Sequence, residues 1–273
     1  MTGTQELLDR WGLSLPAGLA KRIGNKAFST DGIGMSRAKV ILYEDAVLKI
    51  EPSCAQNAET VSVMRWLRGK LPVPEVLEFA EEGGLQYLLM SRVPGRMSCD
   101  AYYLERPGVL LEGLAEAVSL LWQTDTAGCP RMRTVEQELA EARYRVEHRL
   151  FDPDNVEPET FGPGGFRDPE ALLLWLEENR PAAEPVLSHG DLCLPNLFLD
   201  RGRVSGFIDL GDMGVGDKWR DLALLDRSLR SNATGAYGGP RYPWYREGLL
   251  YEALGIREDP GKRRWYLLLD ELF

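Results

Sequence analysis

At 273 residues the chain can form two lobes with substantial cores, and its 44% hydrophobic and 27% charged residues contain no run of about 18 uncharged apolar positions to span a membrane. A net charge of −10 argues against a nucleic-acid-binding surface and suits a cationic partner. Four scattered cysteines without a CxxC pair and only two histidines, His148 and His189, argue against a disulfide framework, a zinc site and a His-rich two-metal hydrolase.

The N-terminus MTGTQELLDRWG carries no basic-then-apolar leader, which predicts a cytoplasmic protein. Residues 4–12 predict a short helix, with Thr4 as its N-cap and Gly12 as its stop. Two strands follow at 38–43 and 46–50, joined by a turn at Glu44-Asp45. Ahead of them, Gly32-Ile33-Gly34-Met35-Ser36 is a candidate phosphate-covering turn, because glycine lets backbone N–H groups approach phosphate oxygens. No GxxxxGK[ST] occurs, which argues against a P-loop NTPase. Lys49 lies in an apolar strand and needs a partner or an exit to water. Its place matches the strand lysine that contacts the α- and β-phosphates in kinases. The next helix, 55–69, has Glu59 as its only acidic residue, which makes Glu59 the expected partner of Lys49. Leu71-Pro72-Val73-Pro74 ends that helix, and a hairpin turning at Gly83-Gly84 leads into Ser91-Arg92-Val93-Pro94-Gly95. The backbone of Ser91 and Val93 there could pair with an adenine edge. Strand-rich sequence gives way to helix-rich sequence at this point, dividing the chain into 1–94 and 95–273.

Apolar residues at helical spacing predict helices at about 108–124 and 135–150. The segment FDPDNVEPETFGPGG, residues 151–165, reads as an acidic solvated loop. Asp168-Pro169 opens a helix reaching Asn179, with aspartate as N-cap and proline at the first helical position. Then comes PVLSHGDLCLPNLFLD, a turn at Arg201-Gly202, and RVSGFIDLGD. LFL and VSGFI predict a β-hairpin that brings Asp191, Asn196 and Asp209 together. Carboxylate and amide oxygens suit Mg²⁺, which is held by one or two carboxylates plus substrate phosphates. A base, an amide ligand and a second carboxylate make up the catalytic half of a phosphoryl-transfer site. A helix is predicted at 217–230, a Gly- and Tyr-rich connection over 232–243, and final helices near 244–255 and 261–272.

HGDLCLPN, GFIDLG, DKWRDLA and the ending WYLLLDELF together resemble the aminoglycoside 3′-phosphotransferases, the kanamycin kinase family. The resemblance implies an α+β, two-lobed protein-kinase-like fold, with a small antiparallel-sheet N-lobe and a larger, mainly helical C-lobe. It implies transfer of the γ-phosphate of ATP or GTP to the 3′-hydroxyl of a kanamycin-type antibiotic, conferring resistance. In that reading Asp191 is the catalytic base, and Asn196 and Asp209 hold Mg²⁺. The nucleotide is met by Ser36, Lys49, Glu59, Ser91 and Val93. Glu159, Asp270, Glu271 and the terminal carboxylate of Phe273 take the ammonium groups of the substrate, while His189 packs structurally and Asp221 braces the catalytic loop. Carboxylates at a helix C-terminus oppose its dipole, so a cationic group is expected beside Asp270 and Glu271. The expected partners are a cationic aminoglycoside and a nucleoside triphosphate, with no nucleic acid and no membrane, and the chain is expected as a monomer or weak dimer.

Three departures accompany the resemblance. Glu59 falls one position early, with Thr60 in its expected place. Ser231-Asn232 replaces an acidic pair, and Asp212 stands where the family commonly carries arginine. The alternatives are a kinase of another small-molecule alcohol, or a nucleotide-binding module that no longer catalyses.

Overall fold

The structure is a computed structural model, and it describes residues 3–30, 38–151 and 156–273. Alternating apolar and polar residues build an antiparallel sheet in the N-lobe from β1 (Phe28–Thr30), β2 (Lys39–Tyr43), β3 (Ala46–Pro52), β4 (Val76–Glu82) and β5 (Leu85–Ser91), in the order β1-β2-β3-β5-β4. Along β3 the side chains of Ala46, Leu48 and Ile50 are buried, so Val47, Lys49 and Glu51 take the opposite, half-buried face. This alternation turns the lysine away from the core.

The covered face packs on two helices, α1 (Gly3–Arg10) and α2 (Ala17–Ile23). Leu8, Leu19 and Leu48 are fully buried there, each contributing about 1.5–3 kcal/mol relative to exposure. Thr4 does not cap α1 from outside as expected. It lies within the helix, buried, where its hydroxyl accepts from the Tyr43 hydroxyl at 3.3 Å. Helix α2 escapes the sequence pattern because its seven residues gain their stability from seating Leu19 and Ile23 on the sheet.

Helix α3 (Ala55–Leu67) lies between N-lobe strands in the chain. Its Val61, Met64 and Leu67 nevertheless join the larger core of the C-lobe. That core is built from α5 (Pro107–Gln123), α6 (Val135–Glu147), α7 (Pro169–Glu178), α8 (Lys218–Thr234) and α10 (Pro260–Asp270), with the short α4 (Ala101–Leu104) and α9 (Leu249–Leu254) at its margin. Asp168 caps α7 as expected, accepting from the Ala171 N–H at 2.8 Å. The helix expected at 244–255 shortens to α9, because Tyr242, Trp244 and Tyr245 pack as an irregular aromatic segment and the Trp244 indole donates to Leu104 O at 2.8 Å.

Two small sheets carry the site. One, in the order β10-β9-β6, contains β6 (Arg96–Met97), β9 (Leu197–Asp200) and β10 (Arg203–Phe207). The hairpin turn between β9 and β10 has φ of 51° at Arg201 and 80° at Gly202, matching the right-handed twist of the strands. The other, in the order β7-β11-β8, contains β7 (Met132–Arg133), β8 (Pro185–Ser188) and β11 (Gly214–Asp217). Strands of two to four residues such as β6, β7 and β11 carry no periodicity, and long-range pairing defines them. No helix among the described residues is long and apolar enough to cross a membrane.

Candidate active site

The chain leaves β8 at Ser188 and turns through His189-Gly190-Asp191. Asp221, in the first turn of α8 and 1% exposed, accepts from the His189 N–H at 2.8 Å and the Gly190 N–H at 2.9 Å. Burial pushes its carboxyl up, while His189 and the two backbone N–H groups oppose that shift. Gly190 has φ of 84°, and a Cβ there would lie 2.6 Å from the Cβ and the carbonyl oxygen of Asp212, so only glycine fits. His189 is buried. Its Nε2 meets Ile208 O at 3.0 Å and its Nδ1 meets the Asp191 N–H at 3.3 Å, which assigns the proton to Nε2 and makes the ring a strut between the loop and the hairpin.

Asp191 and Asn196 meet directly. The Asn196 amide donates to Asp191 Oδ2 at 2.9 Å and to the Asp191 carbonyl at 3.0 Å, leaving Asn196 Oδ1 for a cation. The carboxyl of Asp191 is pushed up to about 6, chiefly by burial. His189 opposes the shift, and the Asp270, Asp209 and Asp212 carboxylates add to it.

Asp209 follows the hairpin with φ of 57°, a left-handed conformation rare outside glycine, and its side chain is 55% exposed. Its Oδ1 lies 3.9 Å from Lys49 Nζ, which is itself 3.2 Å from Glu51 Oε2 on the same strand. No group of three His, Cys, Asp or Glu side chains converges as a metal cage among the described residues. An amide oxygen and one exposed carboxylate are a hard-oxygen set that fits Mg²⁺ shared with a nucleotide.

Glu59 departs from expectation. It does not pair with Lys49; its Oε2 accepts from Arg131 Nε at 2.8 Å. The face of α3 that carries Glu59 is turned to this buried guanidinium. Thr60 binds the same arginine at 3.0 Å. Asp212 pairs with Arg133 Nη2 at 3.4 Å, so its charge is partnered. Ser36 and the 32–36 turn lie outside the described residues. At the hinge the Ser91 N–H donates to Glu75 O at 2.9 Å and is engaged within the lobe, so from Ser91 an adenine edge could use only the carbonyl. Val93 packs against Gly206 of β10, where a Cβ would lie 2.4 Å from Val93 Cγ1.

The acidic C-terminus is ringed by arginines, where a cationic group is expected. Asp270 pairs with Arg227 and lies 3.9 Å from Arg220 Nη2. Glu271 accepts from the Glu157 N–H at 2.8 Å and lies 3.9 Å from Arg227 Nη1. Burial pushes its carboxyl up to about 7, against the Glu157 N–H and Arg227. Arg145 binds Leu272 O at 2.9 Å and Phe273 O, and the Arg145 and Arg220 guanidinium carbons each lie 5.5 Å from the centre of the Phe273 ring. Glu159 is exposed, and the loop residue tied to Glu271 is Glu157. Ser231 is buried, and the Asn232 amide donates to Ser228 O at 2.8 Å, closing onto its own helix.

A model of the phosphotransferase enzyme family matches residues 31–256. The chain is 38% identical to an aminoglycoside 3′-phosphotransferase of Enterococcus faecalis, over 89% of this chain and 92% of that protein. The chain belongs to the aminoglycoside phosphotransferase family. The structure of aminoglycoside phosphotransferase APH(3″)-Id from Streptomyces rimosus with ADP and streptomycin aligns with a TM-score of 0.77 at 28% identity, covering 93% of this chain and 95% of that one. The fold is also that of the type VIII aminoglycoside-3′-phosphotransferase, with a TM-score of 0.76 at 24% identity over 99% of this chain and 100% of the other.

Four residues hold this phosphotransferase's site together without a role assigned from the sequence: Arg131, Arg133, Glu138, and Arg220, which lies inside DKWRDLA. Arg220 Nε donates to Gly190 O at 2.6 Å, and its Nη1 lies 3.1 Å from Glu138, which is 1% exposed. Burial pushes Glu138 up, countered by Arg220 and then Arg133. Glu59 and Gly211 lie 72 and 80 positions from Arg131, so no local spacing announces the contact.

Proposed function

We propose that this phosphotransferase moves the γ-phosphate of ATP or GTP to the 3′-hydroxyl of a kanamycin-type aminoglycoside, inactivating the antibiotic. The observation that carries this is the pair of contacts at the loop and the hairpin end: the Asn196 amide on Asp191 Oδ2 at 2.9 Å, and Asp209 Oδ1 3.9 Å from Lys49 Nζ. Lys49 and the hinge backbone would hold the nucleotide in the cleft between the lobes 1–94 and 95–273. Asn196 and Asp209 would hold Mg²⁺, which neutralises charge on the phosphates. Phosphoryl transfer has a loose transition state, so alignment and charge dominate its catalysis. Asp191 would accept a hydrogen bond from the attacking hydroxyl and orient it for transfer.

Asp270, Glu271 and the carboxylate of Phe273 would bind substrate ammonium groups, with Glu159 reaching from the loop. A charge pair at 4 Å contributes about 1 kcal/mol in water and about 4 kcal/mol at an effective dielectric near 20, so a partly enclosed cleft favours a polycation over a neutral alcohol. Asp212 is paired with Arg133, while Glu59 pairs with Arg131 and not with Lys49, so product formation is what separates a kinase from a silent nucleotide-binding module.

The experiment is incubation with Mg²⁺, ATP or GTP and a panel of aminoglycosides, followed by mass analysis. A singly phosphorylated product is expected from 3′-hydroxyl compounds and none from 3′-deoxy analogues. Asp191→Asn should lower kcat by about 10²–10⁴-fold with nucleotide binding intact. Absence of product from every compound refutes the reading.

A further inference from the structure

Arg131 is 4% exposed and directs its guanidinium at two separate elements. Toward α3, Nε donates to Glu59 Oε2 at 2.8 Å, and Nη2 donates to Gln56 O at 3.1 Å and to Thr60 Oγ1 at 3.0 Å. Toward the turn after Asp209, Nη1 donates to Gly211 O at 2.6 Å, Met213 O at 3.3 Å and Leu210 O at 3.4 Å. Its own backbone is locked, because the Val215 N–H donates to Arg131 O at 3.0 Å. The planar fork therefore joins a helix inserted between N-lobe strands to the turn that carries the exposed Asp209.

We infer that Arg131 is a positioning residue for phosphoryl transfer: it staples α3 to the Leu210–Met213 turn and so holds Asp209 in register with Lys49. The inference rests on the proposed reaction. Asp209 is held left-handed at φ 57°, a conformation that costs energy outside glycine, and three of the four carbonyls over 210–213, those of Leu210, Gly211 and Met213, are gathered by this one side chain. Glu59 then serves the site through Arg131, which explains why it can stand away from Lys49. Arg133, two residues on, meets Asp212 at 3.4 Å, so the same β7 segment also partners the anion next to the catalytic loop. A lysine cannot reproduce the contacts, being a point charge without the fork.

The test uses Arg131→Lys, Arg131→Met, Glu59→Gln and the Arg131→Met/Glu59→Gln double variant in the full chain. Hydrogen exchange without nucleotide or metal is expected to quicken by about ten-fold or more at residues 55–60 and 209–214 in both Arg131 variants, with α10 unchanged. Steady-state kinetics should show kcat lowered and nucleotide KM raised by about ten-fold, and aminoglycoside KM within about two-fold. Glu59→Gln should add less than about two-fold in the Arg131→Met background, because both act through one contact. Should Arg131→Met not fold, Arg131→Lys carries the same comparison. Unchanged exchange at both segments, or equal changes in the KM values of both substrates, overturns the inference. If the wild-type chain phosphorylates no aminoglycoside, the proposed function fails, and the exchange measurement still decides the staple.

Discussion

Replacing Asp221 separates the architecture of the catalytic loop from its chemistry, since the residue touches no reacting atom. Its two oxygens accept from the His189 N–H at 2.8 Å and the Gly190 N–H at 2.9 Å, in a site 1% exposed. Asp221→Ala leaves both donors unsatisfied, at about 1–3 kcal/mol each, or about 2–6 kcal/mol together. Asp221→Asn keeps one acceptor and turns an amide N–H against the other donor, costing about 1–3 kcal/mol. Part of that returns, because burial disfavours the native charge and pushes the carboxyl up. At about 2 °C per kcal/mol for a chain of this size, Tm should fall by about 4–12 °C for alanine and by about 2–6 °C or less for asparagine. The rate should suffer more than the stability. A loop displaced by about 1 Å can cost about 10²-fold in alignment, and Asp191 is the next residue along. Thermal unfolding followed by initial rates, measured well below Tm, distinguishes the two effects. A folded Asp221→Asn variant with kcat within about two-fold of wild type refutes the bracing argument.

Glu271 contributes a pH dependence of stability. Burial raises its carboxyl from 4.5 to about 7, so the contribution is fully present below about 4.5 and is lost as pH rises through about 7. Glu271→Gln, which keeps an acceptor for the Glu157 N–H, should flatten the Tm profile between pH 5 and 8 and exceed wild type by about 1–3 kcal/mol at the alkaline end; parallel profiles would reject this. Gly190→Ala should give little active enzyme, because a Cβ would lie 2.6 Å from Asp212 Cβ at a backbone φ of 84°, and normal activity and Tm would show that the loop relaxes. Lys49→Met should raise nucleotide KM and lower kcat by about ten-fold or more while aminoglycoside KM stays near wild type; an unaffected nucleotide KM would remove Lys49 from the phosphate site.

The sequence by itself determined the parts of this protein whose chemistry is local. The β3 alternation that exposes Lys49, the hairpin turn at Arg201-Gly202 and the aspartate caps of α7 and α8 are all set by neighbouring residues. So is the contact between Asp191 and Asn196, five residues apart on one loop. The Asp221 brace is legible through the resemblance carried by DKWRD, and the helix dipole favours a cationic group beside the C-terminal carboxylates, a place taken by Arg220 and Arg227. Only the tertiary structure decided which arginine meets which carboxylate. Glu59 pairs with Arg131 rather than Lys49, the Glu157 backbone N–H meets Glu271, and Arg133 partners Asp212. The physical reason is range. Strand alternation, turn geometry and capping act over a few residues, whereas a buried charge is satisfied by whichever opposite charge folding brings within about 4 Å, here from 72 positions away for Arg131 and Glu59.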